Sequence, residues 1–178
     1  MSTREDLQRF RSMALNFSAI GLEQSEHIPY FCTPVGAEYV GCLGCDGIHF
    51  ILLPEDERVF CVDPAMGEIG TYVLPVAEDF RQFLAHVLFC RDANPLSQIW
   101  WLSRECFDDL LKADAEAHWE GCEAHFEEKA SALKLIADTF GLEPGDPYEA
   151  VRALQADFDP SGLAFSDEYY DVLGLEKP

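Results

Sequence analysis

The sequence predicts an α+β domain, a mostly antiparallel meander sheet with helices packed against it and a helical C-terminal half. Three observations predict it. Between residues 38 and 76, four short apolar stretches alternate with turn-forming residues, the spacing of strands joined by short hairpin connections. From residue 80 onward, apolar residues recur in steps of three and four, the period of a helix face. Strands are grouped together and helices are grouped together, which separates α+β from an alternating α/β arrangement. The 178 residues fit one domain, residues 1–178, able to bury a core without staples.

The elements follow in order. Thr3 is expected to cap a first helix whose apolar positions Leu7, Phe10, Ala14 and Phe17 step by three, four and three, with Gly21 past its end. Residues 23–36, with Pro29 and Pro34, read as an irregular lead-in. Strands are expected at Glu38 to Leu43, Ile48 to Leu53, Val59 to Val62 and Thr71 to Val76. The nearly continuous apolar run from Ile48 to Leu53 implies burial on both faces. Cys45-Asp46-Gly47 supplies a turn, because glycine reaches positive φ at little cost. Phe80, Phe83, Leu84, Val87 and Leu88 form one helical stripe, with Glu78 and Asp79 at its favourable N-terminal end. Ser103 can cap a helix carrying Cys106, Phe107, Leu110 and Leu111. A long helix is expected over 114–140, with Trp119, Cys122, Phe126, Ala130, Leu133, Ala137 and Phe140 on its apolar side and Gly121 as a possible kink. Asp146, Pro147 and Glu149 read as cap, first residue and capping-box partner of a further helix, which Asp159-Pro160-Ser161-Gly162 ends. Phe165, Tyr169 and Tyr170 are expected to dock on the rest of the fold.

Charge is the strongest compositional signal. Thirty-three acids against twelve Lys and Arg give a formal charge of −21. Nucleic acid and anionic membrane both require a basic face, so neither is an expected partner. A basic protein fits better, while solubility alone also accounts for an acidic surface. The cysteine count of seven is odd and Met1 to Asp6 carries no apolar leader, so a cytoplasmic chain with reduced thiols is expected rather than a disulfide framework.

Four groups of residues carry candidate chemistry. Cys42 and Cys45 have metal-ligand spacing, with His49 and Cys61 downstream, but a second ligand pair at zinc-site spacing is missing; core packing is the alternative. His118, Cys122 and His125 stand at helical spacing and offer either a metal or a histidine-activated thiolate, whereas Cys122 also belongs to the apolar stripe. Glu116, Glu120, Glu123 and Glu127 step by four, three and four, which on one helix gathers four carboxylates on one face. Their repulsion costs a few tenths of a kcal/mol per pair, and a basic partner relieves it; a solvated face is the alternative. Glu55, Asp56 and Glu57 sit at an expected hairpin tip and could steer a cationic ligand. The adjacent Trp100 and Trp101 are expected to split between core and boundary. No phosphate-binding or nucleophile-elbow motif is present, and no catalytic or cofactor-binding residue is assigned.

Further stretches carry a resemblance. These are Asp46-Gly47-Ile48-His49-Phe50, Val59-Phe60 before Asp63-Pro64, Tyr72-Val73-Leu74-Pro75-Val76-Ala77 followed by Phe80 and Phe83-Leu84, Cys90-Arg91-Asp92-Ala93, and Leu154 to Asp159. Over roughly residues 37–173 the chain resembles a bacterial branch of the SUKH superfamily. That group includes fungal regulators of cell-wall synthesis linked to killer-toxin resistance, and bacterial immunity proteins that neutralise polymorphic toxins. Residues 1–36 lack the superfamily's usual Leu-Pro and Asn-Gly signals. The resemblance implies a non-catalytic protein-binding module, first an immunity protein against a basic toxin such as a nuclease, and second a regulatory or scaffolding protein. A metal-dependent enzyme built on the Cys and His groups is the third reading.

Overall fold

Alternation along four short strands organises the fold. A computed structural model describes residues 2–24 and 28–178; the middle of the expected lead-in, residues 25–27, lies outside the described residues. Strands β1 (Glu38–Cys42), β2 (His49–Leu52), β3 (Val59–Val62) and β4 (Val73–Ala77) form one sheet in the order β1-β2-β3-β4, antiparallel throughout. The expected meander is therefore present, with the last strand shifted to Val73–Ala77. Pro75 is tolerated because β4 is an edge strand and its missing N–H faces no further neighbour. The opposite edge is partly covered: Glu23 exchanges both backbone hydrogen bonds with Cys42, at 2.8 and 3.1 Å, and the Gln24 side-chain amide donates to the Val40 carbonyl. Such cover blunts an edge that would otherwise pair with another chain.

The two central strands, β2 and β3, are buried on both faces, as the continuous apolar run from Ile48 predicts for β2. On one face Phe50, Leu52, Val59, Cys61 and Val76 pack against helices. On the other Ile51, Phe60, Val62 and Val73 pack against Cys32, Phe158, Leu163, Phe165 and Tyr169. The aromatic tail docks as expected, with the Phe165 and Tyr169 rings stacked at 4.0 Å.

The helices are α1 (Thr3–Arg11), α2 (Phe80–Cys90), α3 (Arg104–Glu116), α4 (Cys122–Phe140), α5 (Tyr148–Asp157) and α6 (Asp167–Leu173). Helix α2 forms as its sequence predicts. Asp79 accepts from the Gln82 N–H at 2.7 Å, Arg91 closes it at φ 61°, and Phe80, Phe83, Leu84 and Val87 are fully buried. Each such side chain contributes about 1.5–3 kcal/mol in transfer free energy. The Phe50 and Phe83 rings, 5.1 Å apart, join sheet to helix.

Five expectations are corrected. The cap of α1 is Ser2, whose hydroxyl accepts from Glu5 N–H while Glu5 accepts from Ser2 N–H. Thr3 instead ties three elements together, donating to the Glu57 carbonyl and accepting from the Phe80 N–H. Helix α1 ends at Arg11, so Ala14 falls beyond it and Phe17 opens a separate 3-10 turn that Gly21 closes at φ 68°. The helix expected over 114–140 is two helices, because Ala117 leaves the helix at ψ 134° and Gly121 adopts φ 84° before α4 begins; only glycine takes the second conformation cheaply. Helix α5 begins at Tyr148, one residue later than expected, with the Asp146 carboxylate accepting from Tyr148 N–H at 3.0 Å. Neither Trp100 nor Trp101 reaches the core: they lie in a turn, the first half-buried and the second exposed.

Candidate interaction surface

The break between α3 and α4 shapes an exposed acidic corner. Glu116 is the last residue of α3, Glu120 lies in the connection, and Glu123 and Glu127 occupy the first turns of α4. The single-face arrangement of four carboxylates on one helix is thus replaced by a corner, with only Glu123 and Glu127 remaining one turn apart on a common helix. All four are exposed. Among the described residues none of them joins an ion pair. Lys129, the nearest lysine on α4, is turned inward with its ammonium 2.7 Å from Asp92.

Trp119 stands in the same connection. The sequence pattern places it in the apolar stripe of a continuous helix; the turn leaves it 46% exposed instead. Its ring leans on His125 at 5.6 Å and on Phe126 at 5.4 Å, so it is held without being buried. An aromatic face among carboxylates is chemically suited to a guanidinium or ammonium group. The ring quadrupole attracts the cation and the carboxylates accept its hydrogen bonds.

The His118, Cys122 and His125 group meets only in part: Cys122 and His118 are in contact, and His125 turns elsewhere. Cys122 is buried with its Sγ 3.3 Å from His118 Nδ1, while His125 packs on the Trp119 and Phe126 rings. Among the described residues no three Asp, Glu, His or Cys side chains are placed to hold a metal ion. Cys42, Cys45 and His49 do meet around one cleft, but Cys61 lies in the core on the helical face. Both His49 ring nitrogens are engaged, one with the Gly47 carbonyl at 2.7 Å and one with the Thr33 hydroxyl at 3.1 Å. Burial, then the charges of Asp46 and Cys42, push the Cys45 thiol up, away from the thiolate.

The second acidic run is not free. Glu55 is exposed, at φ 58°. The Asp56 carboxylate takes three contacts of 2.7 to 3.2 Å from the Arg58 side chain. Burial alone pushes Asp56 up, yet the hydrogen bonds and charge of Arg58 hold it below the usual carboxylate range. Glu57 accepts from the Thr3 N–H at 2.7 Å and lies 3.5 Å from Arg4; the bonds from Thr3 hold its carboxyl down. The hairpin tip expected to steer a ligand is therefore largely an internal clamp on α1.

No helix among the described residues is long and apolar enough to cross a membrane. No family model matches the chain, and no curated protein or solved structure matches it at a significant level. Fold and surface together define an α+β protein with a four-stranded antiparallel sheet and an acidic, tryptophan-centred corner at the junction of α3 and α4.

Proposed function

We propose that this chain is a non-catalytic protein-binding module, an immunity protein that neutralises a basic polypeptide toxin by docking the α3–α4 corner onto it. One observation carries the reading: the half-exposed, braced Trp119 lies in the α3–α4 connection between Glu116 and Glu120 in the chain, with Glu123 and Glu127 following on α4, and these four have no ion-pair partner among the described residues. Tryptophan is enriched at binding hot spots. Carboxylates left unpaired in a chain of charge −21 steer a cationic partner and accelerate its encounter. The resemblance to the SUKH superfamily supports the immunity role, and the charge favours a nuclease-like, basic target.

Co-expression with the product of the neighbouring gene tests this. The expected result is suppression of that product's toxicity and recovery of a stable complex whose association slows as salt rises. Trp119→Ala and reversal of the four glutamates to Lys should each weaken the complex more than tenfold. A neighbour that is harmless alone, or a complex indifferent to both variants, overturns the proposal. Weak capture of several unrelated proteins would favour the regulatory reading instead.

A further inference from the structure

A small cleft opens beside β4, on the side of the sheet that the C-terminal segment covers. One wall comes from the connection between β3 and β4. Asp63 starts it, its carboxylate accepting from the Ala65 and Met66 N–H groups at 3.1 and 2.9 Å. The chain then folds back on itself, the Gly67 N–H donating to the Asp63 carbonyl and the Tyr72 N–H to the Glu68 carbonyl. A Cβ on Gly67 would stand 2.5 Å from the Asp63 carbonyl oxygen, so the approach requires glycine. The result is a turn fixed by its own hydrogen bonds, with Ile69 and Gly70 at its tip. Ile69 is left 61% exposed.

The other wall is the chain that follows α5. Asp159 caps a 3-10 turn over Pro160–Gly162, its carboxylate accepting from the Ser161 N–H at 2.9 Å. The Leu163 N–H donates back to the Pro160 carbonyl at 3.1 Å, and the Phe165 ring stacks on Tyr169 at 4.0 Å. Tyr72, on the first wall, is braced edge-on by Tyr169 at 6.3 Å and by Phe31 at 5.3 Å. Between the walls lies a volume of about 240 Å³. Of its lining, Val73 and Tyr169 are buried, whereas Ile69, Tyr72, Leu163 and Phe165 keep accessible surface. Asp159 is the single charged side chain in that lining among the described residues. It is exposed, and it joins no ion pair among the described residues. The bonds from Ser161 hold its carboxyl below the usual carboxylate range.

We propose that this cleft binds a small amine, an arylalkylammonium ion whose ring lies against Ile69, Tyr72 and Phe165 and whose ammonium pairs with the Asp159 carboxylate. Walls made of rings and branched aliphatic side chains favour a flat apolar body, which leaves water as it enters. The carboxylate selects the sign of the head group, because a charge-assisted hydrogen bond to it needs a cationic donor. The volume suits a ligand below drug size, and few polar groups on an apolar lining are the usual composition of such sites. Side chains already braced by their neighbours lose little freedom when the ligand arrives.

The isolated full chain would be titrated with phenethylammonium chloride and, separately, with ethylammonium chloride and sodium phenylacetate at equal ionic strength. The backbone amide resonances of Ile69, Gly70, Tyr72, Ser161 and Leu163 report binding. Saturable shifts there are expected with phenethylammonium. Ethylammonium lacks the ring and phenylacetate carries the opposite charge, so each should bind about tenfold more weakly. Asp159→Asn keeps an acceptor for Ser161 and should weaken phenethylammonium about threefold. Ile69→Ala, at an exposed position, should weaken it about threefold as well. Thermal melts confirm that both variants are folded. Shifts that never saturate, either control binding as tightly as phenethylammonium, or binding unchanged in both folded variants overturns the proposal. No partner protein is present and the reporting residues lie outside the α3–α4 corner, so the outcome is independent of whether that corner docks a toxin.

Discussion

Two acidic regions of this molecule use the same side chains for opposite ends. At the junction of α1 with the β2–β3 connection, carboxylates are tied down: Glu57 to Thr3 and Arg4, Asp56 to Arg58, and Asp6 beside Arg81. At the α3–α4 corner, Glu116, Glu120, Glu123 and Glu127 are exposed and outside every described ion pair. The difference lies in what the fold brings near them. The first region receives three arginines and the N-terminus of a helix, and its acids hold elements together. The corner receives a tryptophan, its acids face outward, and among the described residues no cation pairs with them. Density of charge in a sequence does not separate a clamp from a docking surface; the position of the basic residues does.

The largest effect is expected inside the clamp, at Asp6. Its carboxylate is only 1% exposed. Neither oxygen has a hydrogen-bond partner in the structure, and the nearest cation is Arg81, 3.7 Å away. Arg81 is itself held, donating to the Phe140 carbonyl at the end of α4. Arg81→Ala should cost about 3 kcal/mol by leaving a buried charge uncompensated. Adding Asp6→Leu should recover most of that loss, because a well-packed apolar side chain replaces the stranded ion. Denaturant unfolding of the single and double variants measures both. If the single variant loses less than about 1 kcal/mol, water already reaches Asp6 and the clamp is looser than its burial implies.

Glu57 comes next. Replacing it with Gln should cost about 1 kcal/mol, the worth of a charged acceptor at the first N–H groups of α1 moderated by its exposure. The sign of its pH dependence follows from its lowered carboxyl. A carboxylate depressed in the fold contributes stability that is fully present above its unfolded pKa and is lost as pH falls through the folded value. The wild-type chain should therefore lose stability over the acidic range below the ordinary glutamate pKa. Glu57→Gln should shed part of that acid sensitivity, and the difference between the two melting curves across that range is the measurement.

Gly121→Ala tests how the corner itself is made. At φ 84°, with nothing within 4 Å of an added Cβ, the glycine is needed for its conformation and not for space. An alanine there should cost about 1 kcal/mol. It also favours the uninterrupted helix over 114–140 that the apolar spacing predicts. Increased helical circular dichroism together with a less exposed tryptophan emission would show that the glycine holds Trp119 out.

That glycine marks where the sequence stops being legible. The four strands could be read because turn residues bracket each apolar run, and α2 because Asp79 and its stripe agree. The break is hidden because Trp119, Cys122 and Phe126 keep helical spacing across it, so periodicity argues for continuity while the backbone at Ala117 and Gly121 departs from the helix. The clamp was hidden for another reason. Arg4 and Glu57 lie on separate elements, and only the tertiary fold pairs them. The cleft over the β1–β2 turn shares that obscurity: its cysteines announce themselves by spacing, whereas Tyr30, Tyr39 and Glu23 meet only when the lead-in crosses the edge of β1.

The smallest effect on stability is expected where the proposed effect on binding is greatest. Reversing Glu116, Glu120, Glu123 and Glu127 to Lys removes no described ion pair and exchanges one like-charge pair for another at positions 123 and 127, across one helical turn. Lysine at Glu123 opposes the dipole in the first turn of α4, and lysine at Glu116 repels Lys112 one turn before it on α3. Each of these two terms is a few tenths of a kcal/mol for exposed charges, so the loss should stay within about 0.5 kcal/mol. The same substitutions move the formal charge of −21 upward by about eight, all at one corner, where a steered encounter is most sensitive to them. A variant that melts with the wild type but associates more slowly with a basic partner, and with a flattened salt dependence, separates the corner from the clamp in one pair of measurements. A variant that unfolds early would instead place these four carboxylates among the residues that hold the fold together.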